Sequence, residues 1–276
     1  MTIIEAIFLG ILQGITEFLP ISSSGHLVLM KNLFGISDPD LFFDVMVHFG
    51  TLIPVVWIFR EDLLKIIRSF FALISHGASI SQLKNSLASD AQVRLIGLIV
   101  AASVPTALIG FFFKDLFEHL FSSVLAVGVS LLITGTLLQL TKYVSSTQKT
   151  IKNMTFFDAA VIGFFQALAI TPGISRSGTT ISTALFLGID RELAGRFSFL
   201  ILIPALLGAM LLNCKLPELH NRQYFSTILV ATAAAAFTGY FALKVLLRFL
   251  RRGKLYLFSP YCYGVGLLGI ILAFLR

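Results

Sequence analysis

The sequence predicts an all-α protein, a polytopic bundle of membrane-spanning helices whose two halves are related. Three observations carry this. Of the 276 residues, 57% are hydrophobic and only 13% charged, and the mean hydropathy is +0.91. Soluble domains carry about 25% charged residues, so a chain this poor in charge is matched to hydrocarbon rather than water. Apolar runs near the roughly 20 residues that a spanning helix needs recur along the chain. Two further apolar segments, one in each half, are interrupted by Pro, Ser and Gly.

Taken in order, the first thirty residues are apolar but broken at Pro20. The opening MTIIEAIFLG has no basic n-region, and Glu5 stands where a signal peptide would carry Lys or Arg, so this segment is expected to stay in the mature chain. Spans are expected at Leu41–Phe59, Leu95–Phe113, Phe121–Leu140, Phe156–Ile170, Phe197–Leu212, Tyr224–Leu247 and Leu255–Leu275. The longest polar stretch runs from Glu61 to about Arg94, with Ser81–Gln92 read as a surface helix or loop. Ser145–Asn153 (SSTQKTIKN) is a hydrophilic linker. It divides a single integral membrane domain, 1–276, into halves of about 1–144 and 154–276. Ala231–Gly239 (ATAAAAFTG) is a small-residue face suited to close helix packing. Cys214 and Cys262 define neither a disulfide framework nor a zinc site and read as packing residues.

The net charge of +7 falls in loops. Arg60, Lys65, Arg68 and Lys84 occupy one polar stretch, Lys142, Lys149 and Lys152 the next, and Arg248, Arg251, Arg252 and Lys254 the last. Basic loops beside spans tend to be cytoplasmic and attract anionic lipid headgroups. That accounts for the charge without nucleic acid.

The relation between the halves is visible when GILQGITEFLPISSSGH, from Gly10, is set above GFFQALAITPGISRSGT, from Gly163, an offset of 163 − 10 = 153. Gln13 then matches Gln166, Ser22 matches Ser175, Ser24 matches Ser177 and Gly25 matches Gly178, while Pro20 and Pro172 are one place out of step. Proline removes an N–H and disfavours helix in the residue before it. Non-helical backbone at membrane depth survives only buried in protein or lining a watery cavity. Each segment is therefore expected to form a re-entrant hairpin or broken helix, with ISSSGH and GISRSG at the tips. Paired Gly/Pro-interrupted segments of duplicated membrane folds often mark the functional site.

The candidate chemistry sits on these segments. Glu17 lies in an apolar helix four residues after Gln13, on the same face, and a carboxylate there is costly unless paired. It reads as a metal ligand or general base. Arg176 is either its structural partner or a phosphate clamp, since the guanidinium fork matches phosphate oxygens. Ser175, Ser177 and Thr179 supply hydroxyls around it, and Gly173 and Gly178 permit close backbone approach. His26 closes the first tip after Ser22, Ser23 and Ser24. A serine beside a base is the general arrangement for nucleophilic catalysis. Asp44 and His48 share a helix face and read as a structural or rim pair. Arg191, Glu192 and Arg196 read as an interfacial charge cluster, and His76, His119 and His220 as solvated.

Gln13-x-x-x-Glu17 followed by Phe18-Leu19-Pro20-Ile21-Ser22-Ser23-Ser24-Gly25-His26 resembles the first signature of the bacitracin-resistance type of undecaprenyl-diphosphate phosphatase. Pro172-Gly173-Ile174-Ser175-Arg176-Ser177-Gly178 resembles the second, and spacing and length extend the resemblance over essentially the whole chain. The resemblance implies hydrolysis of undecaprenyl diphosphate to the monophosphate, recycling the carrier lipid for cell-wall synthesis in the bacterial inner membrane. It also implies a divalent cation and interlocked inverted repeats with re-entrant hairpins. Gln13, where the family has Glu or Gln, leaves Glu17 as the sole acid of its signature.

Together these readings assign Glu17, Ser23, His26 and Arg176 to catalysis. Gln13, Ser22, Ser24, Gly25, Gly173, Ser175, Ser177 and Gly178 are assigned to substrate binding, and Glu17 also to Mg²⁺ or Ca²⁺. Ser23 is the leading nucleophile, deprotonated by His26 or Glu17, with a metal-activated water as the alternative. The expected partners are a polyprenyl diphosphate lipid and the bilayer, with a homodimer as a further candidate and no nucleic acid. Two rivals are a flippase for the same lipid, which needs anion binding but no nucleophile, and an intramembrane serine protease.

Overall fold

The computed structural model describes residues 2–35, 41–75, 80–145, 148–213 and 222–275. Among them the secondary structure is helical and no strand occurs; one backbone bridge joins Lys149 to Ile189. The first half carries α1 (Ile3–Phe18), α2 (Ser23–Leu33), α3 (Leu41–Ile58), α4 (Arg60–Ser75), α5 (Ile80–Ser89), α6 (Ala91–Phe112), α7 (Lys114–Leu120) and α8 (Val124–Leu140). The second carries α9 (Phe156–Leu168), α10 (Arg176–Phe186), α11 (Arg191–Asn213), α12 (Arg222–Arg251) and α13 (Ser259–Phe274).

Among the described residues five helical segments are long and apolar enough to cross a membrane: Ala91–Phe112, Val124–Tyr143, Arg191–Leu211, Tyr224–Arg251 and Leu255–Phe274. The span expected at Leu41–Phe59 takes a different form. α3 passes the same test only together with α4, across a bend of 83°. The span expected at Phe156–Ile170 is also corrected: α9 has 13 residues, about 20 Å of helix, which is too short for a hydrocarbon core of about 30 Å. Hydropathy registers the apolar run but not the turn that ends it. Within the expected linker, Gln148 and Lys149 donate their amides to the Gly188 carbonyl at 3.0 and 2.9 Å, so this stretch is docked on the end of α10.

The two halves begin alike. The Thr2 side chain caps α1 and Glu5 returns a bond to the Thr2 amide; at α9 Thr155 and Asp158 do the same. Each pair is displaced by the same interval, 155 − 2 = 153 and 158 − 5 = 153. α2 and α10 follow, each 11 residues long, capped by Ser22 and Ser175. Helix contacts follow the same correspondence. α1 and α3 pack against α12, α9 and α11 pack against α6, and α8 packs against α13. The opening helix of each half therefore leans on a helix of the other. These approaches are close because of glycine: a Cβ at Gly10 would run into the Ala231 carbonyl, and one at Gly163 into the Ala102 carbonyl. The small-residue face expected at Ala231–Gly239 is this α12 surface. One hydrophobic core, with Phe18, Leu98, Ile162, Phe197 and Phe199 fully buried, lies beneath both tips.

Candidate active site

The segments between α1 and α2 and between α9 and α10 meet inside the bundle. Ser22 adopts φ 68°, a left-handed backbone unusual for a residue other than glycine, and its Oγ caps α2 by accepting from the Gly25 amide at 3.3 Å. The same oxygen accepts from the Gly173 amide of the other tip at 3.1 Å. The backbones are so close that a Cβ on Gly25 would lie 2.9 Å from the Gly173 Cα. Thr134 of α8 holds the second tip from behind: its hydroxyl donates to the Gly173 carbonyl and accepts from the Ser175 amide, both at 3.0 Å. Ser175 Oγ accepts from the Gly178 amide at 3.1 Å, and Ser177 Oγ donates to the Phe18 carbonyl at 3.1 Å. The amides of Gly25, Gly173 and Gly178 are thus engaged within the protein. The glycines bring tip against tip, where the sequence suggested backbone against substrate. Ser24 Oγ lies 3.3 Å from Ser22 Oγ.

Glu17 is the centre of the assembly. It lies in the last turn of α1, just before Phe18, and is 7% exposed. Its Oε2 accepts from Ser23 Oγ at 2.6 Å and from Gln13 Nε2 at 2.9 Å. Its Oε1 accepts from Arg176 Nη2 at 2.7 Å. A buried carboxylate without such partners would cost several kcal/mol; here three donors, one of them an opposite charge, offset that. The Ser23 bond has the length of a charge-assisted O–H···O⁻ contact and runs in one direction, because an ionised carboxylate only accepts. Arg176 makes the expected pair with Glu17, yet its Nη1 is buried without a hydrogen-bond partner. A guanidinium with one edge paired and the other bare still has donors for a second anion.

His26 is buried, and its ring nitrogens bond groups other than the Ser23 hydroxyl. Its Nδ1 lies 2.7 Å from the Ser22 carbonyl and its Nε2 2.8 Å from the Tyr261 hydroxyl of α13. Of the two bases offered by the sequence, Glu17 is the one on the Ser23 hydroxyl. His48, read from the sequence with Asp44 as a structural or rim pair, also belongs to this assembly. Its Nδ1 donates to the Asp44 carbonyl at 2.6 Å, and its Nε2 lies 3.6 Å from Glu17 Oε2. The Asp44 carboxylate is held instead by Lys31 at 2.6 Å. Thr134, Tyr261 and His48 carry no sequence signal that separates them from packing residues.

Among the described residues no three His, Cys, Asp or Glu side chains gather as a metal site. The donors around Glu17 nonetheless suit a hard cation that keeps water and substrate oxygens. Gln13 Oε1 is buried without a partner, one turn from the carboxylate. Elsewhere, Arg196 pairs with Asp62 at 2.8 Å and Glu192 with Arg251 at 2.9 Å. Cys262 is buried and donates its thiol to the Pro20 carbonyl at 3.6 Å. His76, Cys214, His220 and the Lys84 side chain lie outside the described residues.

Known proteins are similar to this sequence along nearly its whole length. The family described as "Bacitracin resistance protein BacA" matches residues 6–268. A protein named undecaprenyl-diphosphatase from Desulforapulum autotrophicum is 43% identical over 274 residues, covering 99% of both chains. One of the same name from Alkaliphilus metalliredigens is 44% identical over 279 residues, covering 100% of both. Another from Desulfosudis oleivorans is 47% identical over 269 residues, covering 95% of this chain and 96% of its own. With a family model that matches residues 6–268 and relatives at 43–47% identity along nearly the whole length, the chain belongs to the bacitracin resistance protein BacA family.

Proposed function

We propose that this chain is a multi-pass inner-membrane phosphatase that hydrolyses undecaprenyl diphosphate to undecaprenyl phosphate and inorganic phosphate, returning the carrier lipid to peptidoglycan synthesis. The observation that carries the reading is the junction of the tips: a serine on a buried carboxylate, and the same carboxylate on an arginine with a bare Nη1. A binding or transport site needs the arginine but not the activated serine.

In the proposed reaction the diphosphate docks on Arg176 with its prenyl tail left in the bilayer. Ser23 Oγ attacks the terminal phosphorus while its proton passes to Glu17 Oε2. The P–O bond of the anhydride breaks, and undecaprenyl phosphate leaves with that proton, so that Glu17 is a carboxylate again. Water then attacks the phosphoserine, and Glu17 takes a water proton and passes it to Ser23 Oγ as the Oγ–P bond breaks, so phosphate departs with the Ser23 hydroxyl restored. Gln13 keeps the Glu17 carboxylate aimed. Ser22, Ser24, Ser175, Ser177 and the glycines hold the tips in register. A divalent ion, Mg²⁺ or Ca²⁺, would be held by Glu17 with the amide oxygen of Gln13 and would supply charge neutralisation on the phosphates; magnesium takes few protein carboxylates when substrate phosphate is present. In the same reading the halves are inverted repeats, and α1–α2 and α9–α10 are re-entrant hairpins whose tips meet at depth. The correspondence of caps and helix partners supports this.

The test is phosphate release by purified protein in mixed micelles of undecaprenyl diphosphate. We expect multiple turnovers, loss with chelator, and return with added Mg²⁺ or Ca²⁺. Binding without phosphate release would overturn the proposal.

A further inference from the structure

We infer that Tyr261 is a positioning residue for this reaction: its hydroxyl fixes the tautomer and the proton exchange of His26. The inference rests on the phosphatase reading above and on the catalytic assignment of His26 by the first signature, as a proton-exchanging group beside the Ser23 helix face that the steps above leave unused. It starts from direction. The Ser22 carbonyl can only accept, so His26 Nδ1, 2.7 Å away, carries a hydrogen. In the neutral ring Nε2 then holds the lone pair, and the Tyr261 hydroxyl at 2.8 Å must donate to it. The two rings lie within 8° of parallel, with centroids 5.7 Å apart.

His26 is 4% exposed, whereas Tyr261 is 46% exposed. Both ring nitrogens are occupied by protein groups, so a proton moving between His26 and anything outside the ring crosses the phenol. The phenol can serve both charge states. It donates to a neutral Nε2 and accepts from a protonated one, and in the second state its own hydrogen is free to point outward. A phenylalanine of the same shape can do neither. His26 lies three residues after Ser23 on α2, so both sit on one side of that helix. Tyr261 comes from α13, 235 residues further along the chain. The pair therefore ties the helix that carries the nucleophile to the last helix of the protein. Nothing in the reaction as derived above assigns Tyr261 a part.

The experiment has two arms. In ¹⁵N-histidine-labelled protein, the wild-type His26 ring should show a protonated Nδ1 and a hydrogen-bonded, unprotonated Nε2. In Tyr261→Phe, Nε2 should move to the signature of an unbonded ring nitrogen. The opposite tautomer in the wild type, or an unchanged ring in the variant, overturns the inference whatever the activity. In the kinetic arm, Tyr261→Phe should lower kcat about 10-fold, the worth of one hydrogen bond, with KM within about two-fold, and should add nothing in a His26→Gln background. Equal losses in both backgrounds would show that Tyr261 only packs. An inactive wild type would refute the phosphatase reading and leave the NMR arm to decide the tautomer.

Discussion

The two tips share a scaffold and differ in chemistry. Ser22 and Ser175 cap helices of 11 residues in the same way, 153 positions apart (175 − 22 = 153). At the same interval Ser23 faces Arg176, Glu17 faces Ile170, and His26 faces Thr179. The caps fix the backbone, and each half is then free to place a different group at the first helical position. One half presents a hydroxyl on a carboxylate. The other presents the guanidinium that neutralises that carboxylate and keeps a donor to spare. Neither half holds a complete site.

The comparison breaks most visibly at its acidic member. Glu17→Gln removes the acceptor of the Ser23 proton and should lower kcat about 10²- to 10⁴-fold, while the protein still purifies as the folded species on size exclusion. Wild-type turnover at saturating metal would remove Glu17 from both proposed roles. At the basic member, Arg176→Lys keeps the charge but loses the planar fork. One lost charge-assisted bond predicts a fall of roughly 10- to 100-fold, mainly in kcat, and separate measurement of kcat and KM checks this. A raised KM with normal kcat would make Arg176 a holder of substrate only.

Two further changes probe the shared scaffold. Gly10→Ala and Gly163→Ala each drive a methyl into a facing carbonyl and should each cost about 1–3 kcal/mol, read as a lowered Tm in detergent. Equal costs would support equivalent interlocking; a harmless change in one half would break it. The finest test sets Ser22→Ala against Ser175→Ala. Both remove a cap worth about 1 kcal/mol, but Ser22 Oγ also holds the Gly173 amide. The Ser22 variant should melt lower by the worth of one further hydrogen bond, about 1 kcal/mol, and identical Tm values would show that the tips do not depend on that bridge.

Much of the site is legible in the sequence because charge at membrane depth has few solutions. Glu17 and Arg176 had to find partners, and the repeat told which segments would meet. Gln13 and Glu17 were paired by helix spacing alone. His48 and Tyr261 escaped because their places depend on how α3 and α13 pack, 31 and 244 residues away from Glu17 (48 − 17 and 261 − 17). In sequence, a histidine four residues after an aspartate looks the same at a rim and at a centre. The spans show the same limit. Apolar composition marked α3 and α9 as simple spans, but the 83° bend after α3 and the 13-residue length of α9 are set by turns that hydropathy does not weigh.

The packing of α1 on α12 has a consequence for biogenesis. The partner surface of α1 is among the last parts of the chain to leave the ribosome. At about 5–20 residues per second, the roughly 200 residues between them take on the order of 10–40 s to synthesise. For the first 159 residues of that interval (176 − 17) Glu17 is without Arg176, and throughout it Gly10 and Gly14 are without the helix they receive. The early helices therefore need a temporary host, whether insertion machinery, lipid headgroups or a protonated carboxyl, until the second half arrives. A chain halted after its first half would keep Gln13 and Ser23 on Glu17 but lack the one permanent opposite charge, Arg176, that balances it.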